Sequence, residues 1–230
     1  MSLVYPAESK SIPSDFRKNY WGSLFGPSEA LALLEYAESN EGFVLYIASD
    51  IKHYDKINKS LAFFNKSIEI LSFASWEVLA FDHFSPHPDI VSSRLSTLAK
   101  LSSLESGIIV TTIEALSQRI CPRGFIDKYS LSLKNNQNLE IDSFTENLIR
   151  IGYRRVTTVM EQGEFSLKGA LIDMYPMGAK NPYRIDLFDN EIESIRSFDP
   201  SSQRSIEVIE EIQLLPAREF ASDTSSIDVF

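Results

Sequence analysis

Phe43-Val44-Leu45-Tyr46-Ile47-Ala48 is six apolar residues in a row, and its reading decides the fold of the first half of the chain. An uninterrupted run of this length is what a strand covered on both faces shows, whereas one wet face would leave polar residues at every second position. Its flanks are helical. Ala30, Leu31, Leu34 and Ala37 recur at helical spacing behind Ser28, which can cap a helix start, and predict a helix over 28–38. Ile57, Leu61 and Phe64 form one stripe of a helix over 53–64. Residues 68–71 read as a strand, and 89–101 as a helix with Ile90, Leu95, Leu98 and Leu101 facing inward. Ile108-Ile109-Val110 is a third buried strand, followed by a short helix over 114–118. Strands alternating with helices predict an α/β unit with a parallel sheet, the 43–48 and 107–111 strands central and both sheet faces covered.

The pattern changes after Cys121-Pro122. Asn135-Asn136-Gln137-Asn138 is a polar turn, and 144–151 is a helix that Gly152 closes. Beyond it come β-type runs over 164–174, 183–188, 192–198 and 208–215, separated by Gly178 to Pro182 and by Asp189-Asn190. This half reads as α+β with an antiparallel sheet, and the boundary falls near 122–128. No internal repeat is present.

The 230 residues are 43% hydrophobic and 23% charged, which excludes disordered and low-complexity classes and allows two domains or one large one. No stretch approaches a membrane span, and the first twenty residues lack the apolar core of a signal peptide. A single cysteine, Cys121, excludes an internal disulfide framework and zinc sites built on paired cysteines, so a reduced, cytoplasmic compartment is expected. Lys and Arg number 22 against 32 Asp and Glu, a formal charge of −10. Phosphate contacts dominate DNA affinity, so this chain is a poor candidate for gripping DNA unaided.

Several clusters could carry chemistry. A phosphate loop ahead of the first long helix would occupy Gly22 to Glu29, but no Gly-Lys-Ser/Thr follows its glycines and Glu29 adds the wrong charge, so an ordinary helix entry is expected. His83 and His87, with Asp82 and Asp89, have zinc-like spacing, yet Pro86 and Pro88 prevent one helix from presenting both rings. His53 has no partner in sequence. Cys121 lacks a nucleophile pattern and reads as a small buried hydrophobe. Asp186, Asp189, Glu191 and Glu193 fit a hairpin better than a cation loop. In Tyr183-Arg184-Ile185-Asp186-Leu187-Phe188, Tyr183, Ile185 and Leu187 share the core face, leaving Arg184, Asp186 and Phe188 on the other. An aromatic beside charges suits an interaction surface; periodicity alone leaves a covering helix equally open.

Longer motifs add a resemblance. Trp76-Glu77-Val78-Leu79, the segment from Phe81 to Ile90, Ser93 to Leu98, Val159-Met160-Glu161, Gly163-Glu164-Phe165, Lys168 to Asp173, Tyr175 to Gly178, Pro182 to Asp186 and Leu215 to Phe220 resemble the N-terminal, UvrB-homologous region of the bacterial transcription-repair coupling factor family. The likeness runs from about residue 20 to the C-terminus. It implies a degenerate, parallel-sheet, nucleotide-binding-like domain 1a over 1–122, a small α+β antiparallel domain 2 over 123–212 that binds UvrA, and the start of domain 1b over 213–230, where 225–230 looks like a helix beginning. It further implies a non-enzymatic recruitment module of transcription-coupled nucleotide excision repair with no cofactor of its own. The family's ATP- and Mg²⁺-dependent DNA translocase motor, with its RNA polymerase and duplex DNA contacts, would lie beyond this segment, and the rest of the protein would mask domain 2. Two departures from UvrB stand out: the phosphate loop is missing, and the stretch after Trp76, with Phe81 and Phe84, is too short for a damage-probing hairpin. The resemblance assigns UvrA contact to Lys168, Arg184 and Phe188. Lys168 stands where Arg is common, which forgoes bidentate pairing there. The alternatives are a UvrB-like, ATP-dependent enzyme on damaged DNA, disfavoured by the absent phosphate-loop Lys, and a metal-assisted hydrolase at His83 and His87.

Overall fold

The structure, a computed structural model, describes residues 20–78 and 85–220. Asp82, His83, Phe81, Phe84 and 225–230, on which some expectations above rest, lie outside the described residues.

Helix α1 (Ser28–Ser39) leads into β1 (Phe43–Ala48), α2 (Ile51–Phe64), β2 (Ile70–Phe73), α3 (Pro88–Leu101), β3 (Gly107–Thr112) and α4 (Ile113–Ser117). The three strands form one parallel sheet in the order β1-β3-β2. The α/β reading therefore holds, and β3 is central. Gly107 opens β3 where Ile108 N donates to Glu69 O at 2.9 Å; a Cβ at Gly107 would stand 2.7 Å from that carbonyl, so no other residue fits without a shift.

Two expectations are corrected here. β1 is an edge strand, not a central one, and its faces are unequal: Val44, Tyr46 and Ala48 pack with α1 and α2, while Phe43, Leu45 and Ile47 are 38%, 50% and 48% exposed. A continuous apolar run shows that both faces are apolar, not that both are covered. Both α1 and α2 lie on one side, and α3 reaches across the other only as far as β2, where Thr97 Oγ1 donates to Ser72 O at 2.8 Å. Ser28 is the first helical residue rather than the cap; its hydroxyl donates back to Phe25 O at 2.8 Å. In α3 only Leu95 of the four apolar positions is fully buried, alongside Ser92, Arg94 and Thr97.

The second half contains α5 (Arg123–Tyr129), β4 (Leu131–Lys134), α6 (Ile141–Arg150), β5 (Arg154–Arg155), β6 (Glu164–Lys168), β7 (Leu171–Met174), β8 (Tyr183–Phe188), β9 (Glu191–Phe198), β10 (Ser205–Ile209) and β11 (Glu211–Leu214). α5, β4 and β5 escape the sequence reading, and the 208–215 run divides between two sheets. β10-β9-β8-β7-β6-β5 is a six-stranded sheet, antiparallel except where β5 meets β6, and β11 pairs antiparallel with β4. α6 closes as expected: Tyr153 N donates to Leu148 O at 2.9 Å and Gly152 N to Ile149 O at 3.1 Å, with Gly152 at φ +103°, the left-handed geometry glycine adopts freely.

One face of the large sheet is core. Phe165, Ile172, Met174, Ile185, Ile192 and Ile195 pack with Phe144 and Leu148 of α6, with Leu133 and Ile212 of the small sheet, and with Leu95 of α3. The opposite face is open over β8 and carries the candidate site. Among the described residues no helix is long and apolar enough to cross a membrane.

Candidate functional site

Strand β8 separates its side chains as period two requires. Ile185 and Leu187 are buried, and Phe188 is 70% exposed on the far face. A tight turn of Asp189-Asn190 returns the chain, with Asp189 at φ +53° and Phe188 paired with Glu191, so Phe188 sits at the tip of the sheet. Lys168 ends β6 on the same face: register runs Lys168, Leu171, Asp186, Ser194 across four strands. Its side chain is exposed. Leu187 N donates to Ala170 O at 3.0 Å, which brings the β6–β7 turn alongside Phe188. The structure thus brings Lys168 and Phe188 to one end of one open face.

Arg184 shares that face but is held by its own sheet. Its Nε and Nη2 bond Asp173 Oδ1 and Oδ2 at 2.7 and 2.9 Å, Nη1 reaches Gln203 O at 3.4 Å, and the guanidinium lies 4.9 Å from the centre of the Phe198 ring. The Arg184 side chain is 20% exposed and that of Asp173 only 2%. The bond to Asp173 raises the Arg184 pKa above its ordinary value. Asp173 is its cross-strand neighbour on β7, a partner that the alternation of one strand cannot reveal. Beside this pair, Asp186 accepts from Ser194 Oγ at 3.1 Å and meets Arg196 Nη2 at 3.2 Å. The acidic run therefore behaves as a hairpin, with its inner carboxylate paired.

At the other sheet, Gly22 to Glu29 leads into α1 with Glu29 in its first turn, and the strand-to-helix junction after β1 is Ser49-Asp50. The junction holds no glycine, and the Asp50 carboxylate caps α2 by accepting His53 N–H at 2.8 Å. His53 has a partner after all. Its Nε2 lies 2.9 Å from Glu29 Oε2 and 3.0 Å from Tyr46 Oη, and Tyr46 O–H donates to Glu29 Oε1 at 2.5 Å. Burial works to raise the Glu29 pKa, but the bonds from Tyr46 and His53 and the His53 charge hold it below the ordinary carboxylate value. Burial, then Glu29, pushes the Tyr46 phenol up.

His87 caps α3 through Nδ1, which accepts Asp89 N–H at 3.3 Å. Cys121 is a buried free thiol pushed up to about 11, chiefly by burial and then by the Glu219 charge, so it is a poor nucleophile at neutral pH.

Sequence reasoning missed one constellation. Arg94 is wholly buried on α3 and forms a two-pronged ion pair with Glu219: Nε meets Oε1, and Nη2 meets Oε2 at 3.0 Å. Nη1 donates to Ala74 O at 2.6 Å, the guanidinium stacks 4.0 Å from Phe73 and 4.9 Å from Trp76, and Trp76 Nε1 donates to Glu219 Oε1 at 3.0 Å. Phe220 packs edge-on to Trp76. This latch ties the end of the described chain to the three-stranded sheet. Its partners are 125 residues apart, and nothing local announces the pairing.

The open face lies within a recognisable domain. Residues 131–220 match the model of the UvrB interaction domain. Over 209 residues, 91% of its length, the chain is 42% identical to the transcription-repair-coupling factor of Escherichia coli K12 and 39% identical to that of Haemophilus influenzae; it is 30% identical over 84% of its length to that of Staphylococcus aureus Mu50. It spans only 18%, 18% and 17% of those relatives. The chain corresponds to the N-terminal, UvrB-homologous region of the transcription-repair-coupling factor family.

Proposed function

We propose that this chain is the UvrA-recruiting module of transcription-coupled nucleotide excision repair, and that it docks UvrA through Lys168, Phe188 and the Arg184 edge of the open sheet face. The observation that supports this best is Phe188, a large aromatic left 70% exposed beside Lys168 within the residues that match the UvrB interaction domain. Phe188 supplies burial area, and Lys168 a charge at the rim. Arg184 acts mainly by holding Asp173 and the strand register.

In this reading, 1–122 is a degenerate nucleotide-binding-like domain 1a, 123–212 the docking domain 2 and 213–230 the start of domain 1b. The module hydrolyses no ATP and probes no lesion. The Gly22 to Glu29 loop lacks the phosphate-binding Lys and carries the carboxylate of Glu29, and the charge of −10 opposes DNA. Translocation on duplex DNA and RNA polymerase contact belong to parts of the longer family protein, which also mask the docking face at rest. The module works in the cytoplasm and needs no cofactor.

Calorimetric titration of UvrA with the chain tests the reading. Phe188→Ala should weaken binding roughly thirtyfold or more, since hot-spot truncations cost at least about 2 kcal/mol. Unchanged affinity in both Phe188→Ala and Lys168→Ala would sink it.

A further inference from the structure

Lys168, Arg184 and Phe188 sit on β6 and β8, a strip about 10 Å wide at roughly 4.8 Å per strand step. A stable protein contact covers about 800 Å² per partner, so a partner seated there must reach farther across the sheet. The two directions differ. Towards β5 the cation Arg154 is drawn to Glu164 at 2.6 Å and Glu161 at 3.7 Å, both of its own sheet edge. Towards β9 and β10, register continues the Arg184 row through Arg196 to Val208. Arg196 keeps 43% of its side chain exposed and Val208 is 69% exposed, a second large apolar group on the face that carries Phe188.

We propose that the docking face runs across β9 and β10, and that Arg196 and Val208 are contact residues for the same partner; this rests on the UvrA reading above. Charge argues for that occupant's chemistry. On a chain of −10 this face gathers Lys168, Arg184 and Arg196; of its carboxylates Asp173 and Asp186 are already engaged by the arginines, and Glu191 stands opposite Phe188 at the tip. The complement is a surface with apolar groups for Phe188 and Val208 and carboxylates for the cations. Arg196 Nη2 now donates to Ser194 Oγ at 3.0 Å and meets Asp186 at 3.2 Å; a partner's carboxylate would replace those bonds, and Asp186 would keep its own from Ser194 Oγ. Arg184, clamped on three sides, cannot turn in this way.

The test uses the whole chain and purified UvrA, with dissociation constants measured by titration at low and high salt and a melting curve for each variant. Arg196→Glu should weaken binding about tenfold or more and flatten its salt dependence, Arg196→Lys should recover part of the loss, and Val208→Ser should weaken binding severalfold, all with unshifted melting. If Phe188→Ala and Lys168→Ala weaken binding while Arg196→Glu and Val208→Ser stay within twofold of the parent, the extension is wrong and the docking reading stands. If none of the four changes affinity, or the parent does not bind UvrA, both fall.

Discussion

Replacing Glu219 by alanine removes the anion of the buried latch and leaves Arg94 charged with no exposed surface. Two guanidinium nitrogens, Nε and Nη2, lose their acceptors, and Trp76 Nε1 loses its own. What remains is Ala74 O, Gln118 Oε1 at 3.3 Å and the faces of Phe73 and Trp76. Breaking a buried pair from one side costs about 3–5 kcal/mol, because an uncompensated charge stays inside. At about 2–4 °C per kcal/mol for a chain of this size, the melting temperature of Glu219→Ala should fall by roughly 6–20 °C. The double substitution Arg94→Met with Glu219→Leu removes both charges and should recover much of that loss, since well-packed apolar groups often replace a buried pair at little cost. Circular dichroism melts and urea titrations of the parent, the single and the double variant measure all three. A fall of less than about 2 °C in Glu219→Ala would refute the argument, because it would mean that water or another group solvates Arg94 without the carboxylate.

Other consequences are equally direct. Arg184→Ala should destabilise the chain by about 2–3 kcal/mol by orphaning the buried Asp173, whereas Phe188→Ala should stay within about 0.5 kcal/mol, and urea midpoints will separate them. The Glu29 pKa is depressed in the fold, so its contribution to stability is complete above its unfolded value of 4.5 and is lost as pH falls through the folded value. Glu29→Gln should therefore lower the urea midpoint at pH 7 and shrink the difference between pH 7 and pH 3; an unchanged pH profile would place the Glu29 carboxylate outside the Tyr46–His53 cluster.

Much of the fold was legible because it is written in short periods. Alternation along 183–188 assigned the two faces of β8 correctly, Asp189-Asn190 marked its turn, Gly152 marked the end of α6, and the Ile108 run marked a central strand. These depend on backbone geometry within a few residues, which a sequence carries whole. The site residues were legible to the same depth. Phe188 followed from the period and proved exposed, whereas Arg184 followed from the same period and proved clamped, because its fate lay with Asp173 on the next strand.

What the sequence by itself determined, then, is which side chains share a face, where the chain turns, and a net charge that opposes nucleic acid. Tertiary structure alone decided which faces are covered and which charges meet. β1 has the composition of a doubly buried strand and lies at an edge, since strand order is a matter of crossover connections rather than residue type. Arg94 meets Glu219, Arg184 meets Asp173, and Glu29 meets His53 across 125, 11 and 24 residues. Each pairing exists because sheet register and helix packing bring the two groups within bonding distance. A charge carries no mark of its partner until the backbone around both has been placed.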